Sequence, residues 1–394
     1  MTRAAANFIS FTLASSILFS CHQSHYRSTA YSYVKPIQLD DGIPVDAIYN
    51  NGMDTGRIVA LTKLILADTF PNIHSLLIFR HGKLVYENYF AGEDQLIGKN
   101  VGYVDHTIDD LHDCRSISKS FTSACIGIAV KQGIIKSIDE PIFPYFKEYS
   151  TYFDSTKRKI TIRNLLTMTS GLEWDEKISY LDPKNSEIQM DRSADPITFI
   201  LSRKLTSAPG TVWNYCAGCT QLLEEILWKA TGERLDKYAE KNLFTPLGIK
   251  KYTWAHMVRG MTAAAWGLRL RPRDLAKFGL LYMNYGKWGN TQVLDTDWVK
   301  HSLNSEVSIP SDNPNLNPGY GFQFWIGVMV QHRYKAPIPN ASGNGGQLIF
   351  FWRPMDMLLV FTGGNYNRRD IKNDAGEAFG YIVPAVNEMQ PYLK

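Results

Sequence analysis

Strand signals stand near both ends of the chain and helical signals fill the middle, and this pattern restricts the fold more than any other feature. On the N-terminal side, Leu76-Leu77-Ile78-Phe79 and Leu84-Val85-Tyr86 are apolar, strand-like runs. Arg80-His81-Gly82-Lys83 between them supplies turn chemistry, so Ser75 to Tyr89 reads as a hairpin. Towards the other end, Phe322 to Met329, Gln347 to Phe351 and Met357 to Thr362 carry the same signature, ahead of a helix expected over Ala375 to Glu388. Between them lie helical patterns at Ser116 to Gly133, Ile162 to Met168, Gln221 to Thr231 and Pro272 to Tyr285. Gly133 and Gly286 act as stops, and Pro272 suits a first helical turn. The Pro- and Asn-rich stretch 310–319 reads as a loop. Strands at both ends with helices between them imply an α+β chain: one sheet assembled from the two termini, with a helical insertion as second domain. The expected boundaries are a spacer over 22–60, an α/β domain from 61–110 with 316–394, and a mainly helical domain over 111–315.

Composition narrows the function classes. The 394 residues are 44% apolar and 20% charged, with a net charge of only +4, as in a packed enzyme or binding protein. The densest basic clusters, Lys157-Arg158-Lys159 and Arg269 to Arg273, hold three cations each, which suits a solvated face and argues against nucleic acid as a partner. Residues 1–21 contain one charge, Arg3, and an apolar run from Phe8 to Phe19, the make-up of a secretory signal and too short for a stable membrane span. Ser20-Cys21 resembles the lipobox of bacterial lipoproteins, whose cysteine is lipidated after cleavage, and simple cleavage is the other outcome. The expected location is therefore outside the cytoplasm, in the periplasm or cell envelope, with Cys21 as candidate membrane tether.

Beyond Cys21 there are Cys114, Cys125, Cys216 and Cys219. Cys216-x-x-Cys219 has no second CxxC and no closely spaced His pair beside it, so it reads as two buried small residues and not as a zinc site. If both were helical, Cys114 and Cys125 would lie ~16 Å apart along the axis, beyond disulfide reach.

The chemistry begins at Ser116-Ile117-Ser118-Lys119. On a helix, positions i and i+3 share a face, so the lysine amine can reach the serine hydroxyl. Serine is a weak nucleophile without an adjacent base, and a helix N-terminus turns free N–H groups toward it. A second copy, Ser32-Tyr33-Val34-Lys35, lies in the irregular N-terminal stretch with no helix following, and context favours the copy at 116. Tyr215, ahead of the helix at Gln221, is the candidate for a third group that carries a proton to the leaving group; a neighbouring cationic lysine favours its ionised form. In Asn340 to Gln347, glycines before a strand let substrate approach the backbone and free an N–H for an oxyanion, which puts Gly343, Asn344 and Gly345 in the candidate site.

Ser116-x-x-Lys119, Tyr215 and a Gly-rich turn before a strand stand in the order found in the serine β-lactamase and penicillin-binding-protein superfamily. The chain resembles in particular the class C β-lactamase-related serine hydrolases, which include esterases, D-aminopeptidases and 6-aminohexanoate-dimer hydrolases. The segments Arg115 to Phe121, Ile160 to Leu172 and Pro272 to Gly279 share in the likeness, which spans roughly 70 to 390. The resemblance implies an antiparallel sheet flanked by helices plus an all-helical domain, with the site between them. It implies Ser116 as nucleophile, Lys119 as its base, Tyr215 as proton relay, and the N–H groups of Ser116 and Asn344 as oxyanion hole. Two positions depart from the class C pattern. Tyr-x-Asn is here Tyr215-Cys216-Ala217, and Lys-Thr-Gly is Ala341-Ser342-Gly343, without the cation that meets a penicillin carboxylate. Arg269, Arg271 and Arg273 are candidates to supply that charge.

The reading is an exported serine hydrolase that cleaves an ester or amide of a small molecule or short peptide, with no metal or organic cofactor. The alternatives are a cell-wall D-amino-acid peptidase and a non-catalytic binding protein on the same fold.

Overall fold

The hairpin at Ser75 to Tyr89 forms as strands β1 (Ile73–Arg80) and β2 (Lys83–Tyr89), joined by His81 and Gly82 at φ 53° and 70°. Two left-handed residues make the turn whose twist matches paired strands. The structure, a computed structural model, describes residues 30–311, 316–331, 333–368 and 374–392. The segment 1–21 and Cys21 lie outside the described residues, as does part of the 310–319 loop.

Six more strands complete the main sheet: β3 (Val307–Ser308), β4 (Gly319–Tyr320), β5 (Trp325–Gln331), β6 (Tyr334–Gly343), β7 (Gln347–Trp352) and β8 (Met357–Gly363). Their order is β3-β4-β5-β6-β7-β8-β1-β2, and each neighbouring pair is antiparallel. The two chain ends meet where β1 pairs with β8, in the register Leu77↔Val360 and Ile78↔Leu359.

Alternation along the strands sends side chains to two cores. Leu77, Phe79, Ile349, Phe351, Leu358 and Val360 face the core under helices α2 (Ile117–Lys131) and α4 (Pro272–Met283), and α3 (Ala217–Thr231) packs on the far side of α2. Leu76, Ile78, Leu348, Phe350, Leu359 and Phe361 face α1 (Thr55–Leu66) and α5 (Asp374–Ile382). Between α2 and α4, Phe121 stacks on Phe278 with ring centroids 3.8 Å apart. Glycines end the helices as expected: Gly133 follows α2 at φ 72° and Gly286 follows α4 at φ 86°.

Several elements differ from the sequence expectation. β6 was not foreseen because Pro337 and Pro339 break a strand pattern. The strand tolerates them because β7 pairs with β6 only from Asn340 onward, which leaves one edge of the proline stretch without a ladder to feed. A polar hairpin, Gly92–Leu96 with Lys99–Val104, turns at Ile97 and Gly98, both left-handed. Short strands His112–Asp113, Tyr252–Trp254 and Leu268–Leu270 pair within the stretch read as helical. α5 stops at Ile382, well before Glu388, and 3₁₀ turns follow at Val383–Ala385 and Asn387–Tyr392. Pro384 lacks the N–H that would continue the helix.

The stretch expected as a spacer to residue 60 is packed from Tyr31 onward. Tyr33 Oη donates to the Val85 carbonyl at 2.9 Å, Ile43 is wholly buried in the larger core, and α1 starts on the Asp54 cap. The four described cysteines are buried and free, and Cys216 Sγ caps α3 by accepting the Cys219 N–H at 3.3 Å.

Candidate active site

Ser116 occupies the N-cap of α2, directly after the strand His112–Asp113. Arg115 makes the turn into the helix with φ 49°, a left-handed conformation that a long side chain adopts only under constraint. The constraint is visible: its guanidinium pairs with Asp113 at 3.2 Å and lies 4.7 Å over the Tyr366 ring.

One turn along, Lys119 is 1% exposed and its Nζ donates to Ser116 Oγ and to the Ala265 carbonyl, both at 3.1 Å. Tyr215 reaches the same point from the loop before α3. Its hydroxyl makes a side-chain hydrogen bond with Ser116, and Lys119 Nζ lies 4.9 Å from its ring centre. The three predicted side chains therefore meet. Burial pushes the Tyr215 phenol well above its ordinary range, Glu176 and Glu187 add to that, and the bond to Ser116 opposes it without winning. The ionised tyrosine favoured on sequence grounds is thus disfavoured, and the phenol keeps its proton in the free site.

The end of β6 closes the site from the sheet side. A Cβ on Gly343 would lie 2.3 Å from the Cys114 carbonyl oxygen, so only glycine lets this strand approach the nucleophile turn so closely. Asn344 is held by Asn367, which accepts from its amide at 2.6 Å and donates its backbone N–H to Asn344 Oδ1 at 2.9 Å. A cavity of about 410 Å³ opens here, lined by Ser116, Tyr215, Ser342, Gly343 and Asn344. Gly345 does not line it; its φ of 99° serves the turn, and its carbonyl accepts from Asn365. Trp213, Trp325 and Tyr180 form aromatic walls, with Trp325 stacked 5.2 Å from Tyr215. The size suits a small organic group.

The sequence reading missed the acidic floor. Glu176 lines the cavity, accepts from the Trp174 indole and the Ala217 N–H, and takes the Tyr180 hydroxyl at 3.2 Å. Glu187 and Asp191 follow on the helix Ser186–Asp191. Burial, then the Glu176 charge, holds Glu187 well above the usual carboxylate range. Burial raises Asp191 to about 7, with Trp266 as its hydrogen-bond donor at 3.3 Å. No motif marks these acids, because their role comes from the fold around them.

A stability test follows. Between about pH 4 and 7 the folded Asp191 keeps a proton that the unfolded chain has lost, so its contribution is present below that window and is lost as pH rises through about 7. In urea unfolding at about pH 5 and about pH 8, Asp191→Asn should lose less stability with rising pH than the parent. An equal pH dependence in both proteins would refute the assignment.

The arginines proposed as substitutes for the missing cation are otherwise engaged. Arg269 pairs with Asp113 at 2.8 Å, Arg271 with Asp274 at 2.7 Å, and Arg273 with Glu87 at 2.6 Å and Asp41 at 2.9 Å. None of them lines the cavity. Ala341 cannot stand in either, since its methyl is buried in the core.

A serine at a helix N-terminus, with an antiparallel sheet on one side and helices on the other, defines the β-lactamase and transpeptidase-like class of hydrolase folds. The β-lactamase family model matches residues 67–371, and the chain belongs to that family. It is 24% identical to Beta-lactamase-like protein 4 of Dictyostelium discoideum, over 97% of this chain and 69% of that protein. Among solved structures it is similar to a protein provisionally assigned as a 6-aminohexanoate-dimer hydrolase from Bacillus anthracis, with a TM-score of 0.68 at 20% identity, covering 84% of this chain and 83% of that one. It is also similar to EstCE1, a hydrolase with promiscuous acyltransferase activity, with a TM-score of 0.66 at 14% identity, covering 84% and 98%.

Proposed function

We propose that the protein is a serine hydrolase that cleaves a small ester or amide through an acyl-enzyme on Ser116. The observation that carries this reading is the convergence of the Lys119 amine and the Tyr215 phenol on one serine hydroxyl in an open cavity. Lys119 takes the Ser116 proton as Oγ attacks the substrate carbonyl. The N–H groups of Ser116 and Asn344 receive the developing oxyanion. The Tyr215 O–H protonates the departing alkoxide or amine, and the lysine proton then replenishes the phenol. Water attacks the acyl-enzyme by the reverse route and releases the acid. The aromatic walls favour substrates with an apolar or planar acyl group. The lack of a free cation in the Lys-Thr-Gly position argues against penicillins. The N-terminal segment supports export, with Cys21 as tether.

The test is direct. A fluorophosphonate probe should label the wild-type protein and release of p-nitrophenol from short esters should be measurable, with both lost in Ser116→Ala. A wild-type protein inert to probe and ester would favour a binding role. A panel of short esters, D-amino-acid amides and linear oligoamides then identifies the substrate.

A further inference from the structure

Outside the lining of the cavity, three histidines and an aspartate are buried together. His74 lies on β1, Asp94 on the Gly92–Leu96 strand, His106 in the loop after that hairpin and His112 on the short strand before the nucleophile. One ligand atom from each falls within 4.8 Å of all the others. The imidazoles are in mutual contact: ring centroids are 3.9 Å apart for His74 and His106, 4.7 Å for His106 and His112, and 5.6 Å for His74 and His112.

Packing alone does not account for this arrangement. His106 is 7% exposed and His112 is 0%, yet neither ring nitrogen of either residue has a hydrogen-bond partner. A neutral imidazole carries one donor and one lone pair, and buried polar atoms are nearly always satisfied. The site is also built around its ligands. His74 Nε2 lies 3.1 Å from the Glu93 carbonyl, which turns Nδ1 toward Asp94 Oδ1 at 3.9 Å, the orientation a carbonyl imposes on metal-binding histidines. Asp94 is held in turn by the Tyr366 hydroxyl at 3.3 Å. Gly92 and Gly364 leave room for the His74 ring, since a Cβ on either would approach it to 2.9 Å and 2.6 Å.

We propose that His74, Asp94, His106 and His112 form a closed zinc site that ties the 92–104 hairpin and the strand before Ser116 to β1. Three imidazole nitrogens and one carboxylate oxygen make a four-coordinate set that zinc accepts, whereas calcium and magnesium prefer all-oxygen shells. Ligand atoms of a tetrahedral zinc site stand ~3.3 Å apart for bonds of ~2.0–2.1 Å, so side-chain shifts of about 1 Å close the present cluster. With four protein ligands the metal has no open position for substrate, so its role is to fix structure. The spacing in sequence, from 74 to 112 across two hairpins, is why no ligand motif announced it.

The test uses the full chain after chelator treatment. Zinc added back and passed through a desalting column should be retained at one equivalent per chain. Cobalt(II) should give the intense visible absorption of a tetrahedral site, and zinc should raise the melting temperature. His106→Ala, at the rim of the cluster and far from the helical core, should weaken zinc affinity at least ~100-fold and abolish both signals. Asp94→Asn is a second variant should the first fail to fold. Exposed pairs such as His81 with Asp356 and His301 with Glu306 provide the competing explanation. Zinc retained undiminished in the His106→Ala and Asp94→Asn variants would put the metal on such surface pairs. That result, or a wild-type chain holding no zinc, would overturn the proposal. None of these three readouts depends on hydrolysis, so the fate of the catalytic reading is judged separately.

Discussion

Lys119→Met is expected to lower kcat/KM for any ester substrate at least ~10³-fold while the protein stays folded. Among the described residues the amine donates to one side chain, Ser116 Oγ at 3.1 Å, and to one carbonyl, that of Ala265. Methionine has a similar length and tolerates a buried position, so the packing around α2 persists while the base is gone. A buried amine is costly to fold around, and its removal should leave the melting temperature unchanged or higher, the pattern of an activity bought with stability. Steady-state kinetics and thermal unfolding on the same preparation decide the matter. A variant with activity within tenfold of the parent would remove Lys119 from the mechanism, and Tyr215 would then have to serve as base with a phenol that burial keeps protonated.

Gly343→Ala is the second large effect. The new methyl would meet the Cys114 carbonyl oxygen at 2.3 Å, and that carbonyl accepts the Ile117 N–H at the first turn of α2. Either β6 retreats, taking the Asn344 N–H with it, or the nucleophile turn moves. Both outcomes spoil the oxyanion geometry, and the loss of one such donor costs about 10²–10³ in kcat. Overpacking should also destabilise the fold by about 1–3 kcal/mol. Gly380→Ala is the matched control: it lies in α5, has nothing within 4 Å of a Cβ, and should be neutral or stabilise by about 1 kcal/mol. If Gly343→Ala behaves like the control, the strand does not position the oxyanion donor.

The parts of this molecule that were legible in the sequence are those governed by local rules. The hairpin turn at His81-Gly82, the stops at Gly133 and Gly286 and the nucleophile helix follow from backbone preference and apolar spacing, and the structure has all of them. The order of Ser116, Lys119 and Tyr215 was readable because a helical face fixes the first two and family likeness supplied the third. What escaped depends on tertiary neighbours. β6 carries Pro337 and Pro339, and only an unpartnered edge makes them acceptable. Pro384, visible in the sequence, ended α5 sooner than the apolar pattern suggested. The acids Glu176, Glu187 and Asp191, and the ligands His74, Asp94, His106 and His112, sit on separate elements, and their proximity is a property of the folded chain alone.

The pairing of β1 with β8 has a consequence for how the chain acquires its structure. Ser75 Oγ and Thr362 Oγ1 lie 2.6 Å apart across that junction, although 287 positions separate them along the backbone. Until the last strands leave the ribosome, the first hairpin has one side bare, and contacts this distant in sequence form slowly. A nascent polypeptide of this design stays unfinished throughout synthesis. Truncation anywhere before Met357 should yield insoluble material instead of a smaller working enzyme.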